Sequence, residues 1–401
     1  MHSDAADAWR VGTPIVSYWA GPGFPNGGDL TDATAKQLAE GGWNLVWCRE
    51  KELDIAQRHG LRGMLTADTL THTSLGHADK HAELDGVIER VKKHPAFYAY
   101  HLFDEPPAKY FPGLARIVGY LREKDPEHLA YINLLPTYAN NEQLGTAGGK
   151  VEAYNEHLRQ YVDVVKPALL SYDNYQFTNA GDMPDYFLNL ALMREKAVSA
   201  GLPFMNIVQA ASWGPTNLAS PHSPRVPTPD EMRFLVYTTL AYGAQGISYY
   251  VYCFPGHTGG IALPDGTPTP LYTALKTLNR EFVAIAKELQ PLKSEGVFHA
   301  GMQPPGVTMM PPDSAFTFDP PFVPVEYKPS TRVKGAVVSR FGATHALVVN
   351  LDYKHEKTIG ITAPSALEIF DATTGQWSPA NAAHIDLLLP GGGGKLVRIR
   401  P

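Results

Sequence analysis

The feature that most constrains this chain is an eightfold alternation of short apolar runs with helical patterns. The runs fall at 14–19 (PIVSYW), 44–48 (NLVWC), 61–67 (LRGMLTA), 97–103 (FYAYHLF), 129–135 (LAYINLL), 168–173 (ALLSYD), 203–209 (PFMNIVQ) and 246–252 (GISYYVY). Each is of strand length, and the segments between them carry helix signals. Thr31-Asp32 opens the first helix and Gly41 follows it, Gly60 closes the second, and Thr228-Pro229-Asp230-Glu231 supplies an N-cap, a proline at the first helical position and a capping-box glutamate. Eight strand–helix units in ~280 residues is the count of a (β/α)8 barrel, which takes ~250 residues. A doubly wound sheet uses five or six strands and carries a glycine-rich phosphate turn after the first; no such turn is present.

At 401 residues the chain is longer than one barrel, and the pattern changes near residue 290. Residues 303–330 are proline-rich. Alternating apolar segments then appear at 334–340, 345–351, 356–362 and 396–400, separated by turn signals such as Thr373-Thr374-Gly375 and the glycines 391–394. The expected architecture is α/β: a barrel over 1–290 followed by an all-β sandwich over 291–401. Trp377 is the only tryptophan of the second unit, which favours packing over independent glycan capture.

Composition narrows the partners. Lys plus Arg number 34 against 40 Asp plus Glu, a net charge of −6 with no basic run, which argues against nucleic acid and anionic membrane surfaces. No stretch reaches the ~18 apolar residues of a membrane span, and MHSDAADAWR lacks a signal peptide's apolar segment. Secretion or a periplasmic location, with a leader removed beforehand, stays open. Cys48 and Cys253 alone give no disulfide framework and are read as small buried hydrophobes. Oligomeric state is not legible.

In a barrel the reacting groups stand at the C-terminal strand ends. Those ends carry Trp19, Trp47, Asp68, His101, Asp104-Glu105, Asn133, Asp173 with Tyr175, Gln209 with Trp213, and Tyr250 with Tyr252. Rings that stack on sugar faces and amides that bond hydroxyls suit a carbohydrate. Zinc-spaced Cys/His, a Walker loop and a serine elbow are lacking, so no metal or organic cofactor is expected. Long loops at 176–184, 210–227 and 255–268 would build a pocket at that face.

The sharpest motif is Phe103-Asp104-Glu105-Pro106 closing the fourth strand. Here the barrel, roughly residues 12–290, resembles clan A glycoside hydrolases, in which Asn-Glu-Pro at this strand end supplies the acid/base glutamate. The resemblance implies that Glu105 protonates the leaving glycosidic oxygen. Its pKa would have to be raised by burial and by a like charge such as Asp104. The bland alternative is a strand end that caps the next helix. Two departures stand out: Asp104 replaces the usual Asn, and strand seven ends in Gln209 where clan A keeps its nucleophilic glutamate.

Asp173, ending strand six, is then the second carboxylate. Strand spacing puts it some 6–10 Å from Glu105, within the ~6.5–9.5 Å of an inverting pair. The expectation is a glycoside hydrolase with Glu105 as acid and Asp173 as base. Alternatives are a substrate-assisted hydrolase of 2-acetamido sugars using Asp104 and Glu105, which an adjacent Asp-Glu resembles in the β-hexosaminidases, and a degenerate barrel that only binds carbohydrate. Asp68, His101, Asn133, Tyr175, Gln209, Trp213, Tyr250 and Tyr252 are candidate substrate contacts with Trp19 and Trp47. Glu231 is assigned to its capping box.

Overall fold

The computed structural model describes residues 9–214, 223–328 and 331–400. All eight expected strands are present, their bounds lying within about three residues of the apolar runs: β1 Ile15–Trp19, β2 Leu45–Cys48, β3 Arg62–Leu65, β4 Phe97–Asp104, β5 Leu129–Asn133, β6 Leu170–Asp173, β7 Phe204–Gln209 and β8 Gly246–Tyr250. A principal helix follows each in turn: α1 Asp32–Glu40, α2 Leu53–Arg58, α3 Ala78–Val91, α4 Phe111–Lys124, α5 Lys150–Gln160, α6 Tyr186–Ala200, α7 Pro229–Ala241 and α8 Pro270–Leu289. The helix starts obey their sequence signals. Thr31 accepts from the Thr34 N–H at 3.2 Å. Thr228 and Glu231 close their capping box, and Glu231 also takes both nitrogens of Arg225 at 2.7 and 2.6 Å, so the glutamate is structural.

The strands form two parallel sheets of four, in the orders β2-β3-β4-β5 and β1-β8-β7-β6. Their edges meet at two seams. Leu134 N–H donates to Ser171 C=O at 2.8 Å between β5 and β6. Asn44 N–H donates to Val16 C=O at 3.0 Å between β2 and β1, where the indoles of Trp43 and Trp47 also donate to Ser17 and Tyr18 carbonyls. Strands buried on both faces explain the near-continuous apolar runs.

The C-terminal unit is β-rich. Labelled strands are β9 Ser294–Gly301, β10 Gly335–Phe341, β11 His345–Asn350, β12 Lys357–Thr362, β13 Leu367–Asp371, β14 Gln376–Pro379, β15 His384–Leu389 and β16 Gly394–Ile399. The larger sheet runs β9-β10-β11-β16-β13-β14, with Thr308–Met309 pairing outside β9; β12 and β15 pair in a smaller sheet with Thr317–Phe318. The larger sheet is buried on both faces. Ala336, Val338, Ala346, Val348 and Val397 join one core with Ile359, Ile361 and Leu387 of the smaller sheet, while the alternate residues Val337, Leu347, Val349 and Leu396 join the main core. Trp377 is a packing residue: its indole donates to Glu288 of α8 at 3.0 Å and its ring lies under Arg398.

Candidate active site

The site is built from strand ends. Trp19 pairs with Tyr250, Asp104 with Asn133, and Asp173 with Ile207, and these six residues from six strands face one space. They line a cavity of about 180 Å³, walled further by Glu105, Tyr138, Tyr175 and Trp213. That is smaller than the ~300–1,000 Å³ of drug-sized sites and suits a single small ring. A larger cavity, about 520 Å³, opens at the opposite strand ends beside Trp9, Phe204 and Gln245 and has no carboxylate on its wall.

A bulge within β4 and a left-handed residue just past its end aim the two acids. His101 pairs with Tyr131 and faces the rings of Trp19 and Trp47. Simple alternation from His101 would turn Phe103 inward and Asp104 outward. A bulge between His101 and Phe103 adds one residue, so Phe103 packs instead on His72 and Tyr110, and Asp104 arrives opposite Asn133. Glu105 then adopts φ +53°, a left-handed conformation that is costly for a residue with a side chain and unusual before a proline. Its N–H is held by the Asn133 carbonyl at 2.9 Å.

Asn133 is the hub. Its amide nitrogen donates to Asp173 Oδ1 at 2.9 Å and to Asp104 Oδ1 at 3.2 Å, while its oxygen accepts from Ser171 at 3.1 Å; Ser171 is paired in turn with Tyr131 at 2.8 Å. The two carboxyl oxygens on that nitrogen therefore lie at most about 6 Å apart. Both amide hydrogens of Asn133 are used on carboxylates, leaving none for a sugar hydroxyl.

The electrostatics follow from three acids in one enclosure. Asp173 is pushed well above the carboxylate range by burial and then by the charges of Glu105 and Asp104. Glu105 is raised by burial but eased downward by a hydrogen bond from Asp173. Burial and mutual repulsion thus oppose ionising Glu105 and Asp173 together, most strongly at the more deeply buried Asp173. Asp104 opens to solvent along one side yet is ringed by protein on the others; it is raised to about 7, first by desolvation and then by Glu105.

The remaining expected contacts divide. Trp19, Asn133, Tyr175, Trp213 and Tyr250 line the cavity, with Tyr175, Trp213 and Tyr250 in mutual edge and tilted contact at 4.6–5.2 Å. Five others stand off its wall. Trp47 is fully buried beneath Trp19, and His101 lies under the same rings with its pKa lowered to about 4 by burial. Tyr252 is buried and bonds Gln37 at 3.2 Å, and Asp68 is exposed on the loop after β3. Gln209 is buried too. It bonds both backbone groups of Phe177 at 2.9 Å and the Arg225 carbonyl, bracing two loops, so β7 offers the cavity Ile207 instead. Tyr138 and Ile207 are wall residues that the sequence did not single out. An aromatic five residues past a strand end was the available signal for Tyr138. The loop 210–227 falls in part outside the described residues. Among described residues no group of acids, histidines and cysteines is arranged to hold a metal, and no helix is long and apolar enough to cross a membrane.

No protein-family model matches the chain, and no curated protein matches it. Among solved structures the chain is similar to a β-galactosidase from the Antarctic haloarchaeon Halorubrum lacusprofundi, at 9% identity and TM-score 0.51 over 96% of this chain and 99% of that one. It is also similar to a GH27 β-L-arabinopyranosidase from Geobacillus stearothermophilus, at 10% identity and TM-score 0.50 over 99% and 97%. Both likenesses run through the α/β unit and the β-rich unit together. At such identities they speak to the fold.

Proposed function

We propose that the two parallel sheets close as one (β/α)8 barrel, joined near residue 290 to a β-sandwich, and that the chain is a glycoside hydrolase acting on a neutral glycan or small glycoside. One observation carries this: two carboxyl groups, Glu105 and Asp173, both raised in pKa by burial, stand at the C-terminal strand ends inside an aromatic cavity of about 180 Å³. A proton held at neutral pH by a buried acid is what protonation of a glycosidic oxygen requires.

The spacing favours retention over inversion. An inverting pair leaves ~6.5–9.5 Å for a water and a retaining pair ~5–5.5 Å. Glu105 and Asp173 lie close enough for each to bear on the other's pKa, and the Asn133 clamp keeps Asp104 Oδ1 within about 6 Å of Asp173 Oδ1, nearer the retaining range. In the sequence of steps this supports, Asp173 gives its proton to the leaving oxygen while ionised Glu105 attacks the anomeric carbon. Water then hydrolyses the glycosyl ester with Asp173 as base. A second reading, substrate-assisted cleavage of 2-acetamido sugars, is favoured by one observation: Asp104, raised to about 7, lines the same cavity beside Glu105.

Aryl glycosides with and without a 2-acetamido group test both, the product anomer being followed by NMR. Retention on ordinary glycosides supports the Glu105–Asp173 pair, and retention on 2-acetamido substrates alone supports the second reading. An inverted product defeats both. A panel that binds with no turnover by wild type would leave a carbohydrate-binding barrel.

A further inference from the structure

The C-terminal unit grips the loop that leaves β6. Beyond Asp173, Tyr175 enters the cavity wall, and residues Phe177–Thr178 and Gly181–Asp182 pair as a small antiparallel hairpin. Asp182, 3% exposed, ends that hairpin and accepts two hydrogen bonds, both from the C-terminal unit: from Val333 N–H at 2.9 Å and from the Tyr353 hydroxyl at 2.7 Å. The Tyr353 ring also meets Phe177 edge-on at 5.4 Å. The barrel holds the hairpin's start, through Gln209 on both backbone groups of Phe177 and the Arg225 guanidinium 5.1 Å over its ring.

Burying a carboxylate is a poor way merely to dock two units, since apolar packing does so without desolvating a charge. What two hydrogen bonds on one carboxylate add is direction: they fix the hairpin in one place. The fixed hairpin begins two residues after Tyr175 and four after Asp173. We propose that Asp182 and Tyr353 form a latch through which the C-terminal unit positions the Tyr175 wall of the cavity, making that unit part of the site's assembly. Asp182 and Tyr353 are positioning residues. The substrate consequence rests on the glycosidase proposal, whereas the positional one does not.

The test uses the full chain with Tyr353→Phe, which keeps the ring packing, and Asp182→Asn, which keeps the shape of the carboxylate. Hydrogen exchange read by mass spectrometry should quicken about tenfold in residues 174–183 of both variants, as expected when a buried hydrogen bond is lost, with β4 and β10 unchanged. On the aryl glycoside that wild type turns over fastest, KM should rise several-fold and kcat change less than about twofold, because binding against Tyr175 is what loosens. Unchanged exchange in 174–183, or faster exchange spread evenly over the chain, overturns the latch. Absence of turnover by wild type would defeat the glycosidase reading alone, leaving the exchange result to decide the latch.

Discussion

Glu105 and Asp173 bear on one another's pKa from the ends of β4 and β6, with the whole of β5 between them. Glu105 follows β4 with a left-handed backbone, and Asn133, on the intervening strand, draws Asp104 and Asp173 onto one amide nitrogen.

Removing either partner should therefore fail differently. Asp173→Asn is expected to slow hydrolysis of substrates with poor leaving groups by about 10²-fold or more, and activated aryl substrates far less, as when a general acid is lost. Glu105→Gln should slow both. Rates for the two substrate types, measured side by side, check this; equal losses for Asp173→Asn would reassign its role.

Asn133→Ala leaves Ser171, Asp104 and Asp173 without their shared partner. The cost expected is about 1–3 kcal/mol of stability, the range for stranding buried polar groups, with turnover falling further than the stability loss explains. Denaturant unfolding beside kinetics on the same preparation separates the two effects. Asn133→Asp adds a fourth acid and should be worse at neutral pH than at pH 5.

Stability should fall as pH rises. The folded chain binds protons at Asp104, Glu105 and Asp173 more tightly than the unfolded chain does, so their contribution is fully present below about pH 4 and is lost through the folded value of about 7 for Asp104. Exposed acids paired with arginine, such as Asp32 and Glu156, act in the opposite sense below the ordinary carboxylate range. The clean measurement is the difference between Asp104→Asn and wild type: the variant's advantage in Tm should be near zero at pH 4 and grow to pH 8. A pH-independent difference would mean that Asp104 does not titrate in this window.

Glu105→Gly should abolish turnover yet leave Tm unchanged or raised. Glycine adopts the left-handed conformation without the roughly 1–2 kcal/mol penalty a side chain incurs, and one charge leaves a crowded acid set. Thermal melts of Glu105→Gly and Glu105→Ala together check this, since alanine keeps the strain; a lower Tm for the glycine variant would count against backbone strain at this position.

The strands of the α/β unit were readable because burial on both faces leaves a nearly unbroken apolar run. In the C-terminal unit β10 and β11 were readable for a similar reason, and β12 and β16 from shorter apolar patches, whereas β15 was not. Its exposed Leu388 breaks the alternation of His384-Ile385-Asp386-Leu387. Within the site, Asp104, Glu105 and Asp173 were legible from strand-end placement. The bulge that brings Asp104 inward was invisible, since nothing in HLFDEP marks an extra residue. Gln209 was misread as a contact because a polar strand-end residue looks the same from sequence whether it faces a ligand or a neighbouring loop.

Among the described residues, those lining the cavity include no lysine or arginine. In the proposed glycosidase, a uronic or sialic acid would bring its own carboxylate against Asp104, Glu105 and Asp173 with no cation among these residues to receive it. Such an enclosure would act as a charge filter, turning away acidic sugars before any hydroxyl is inspected.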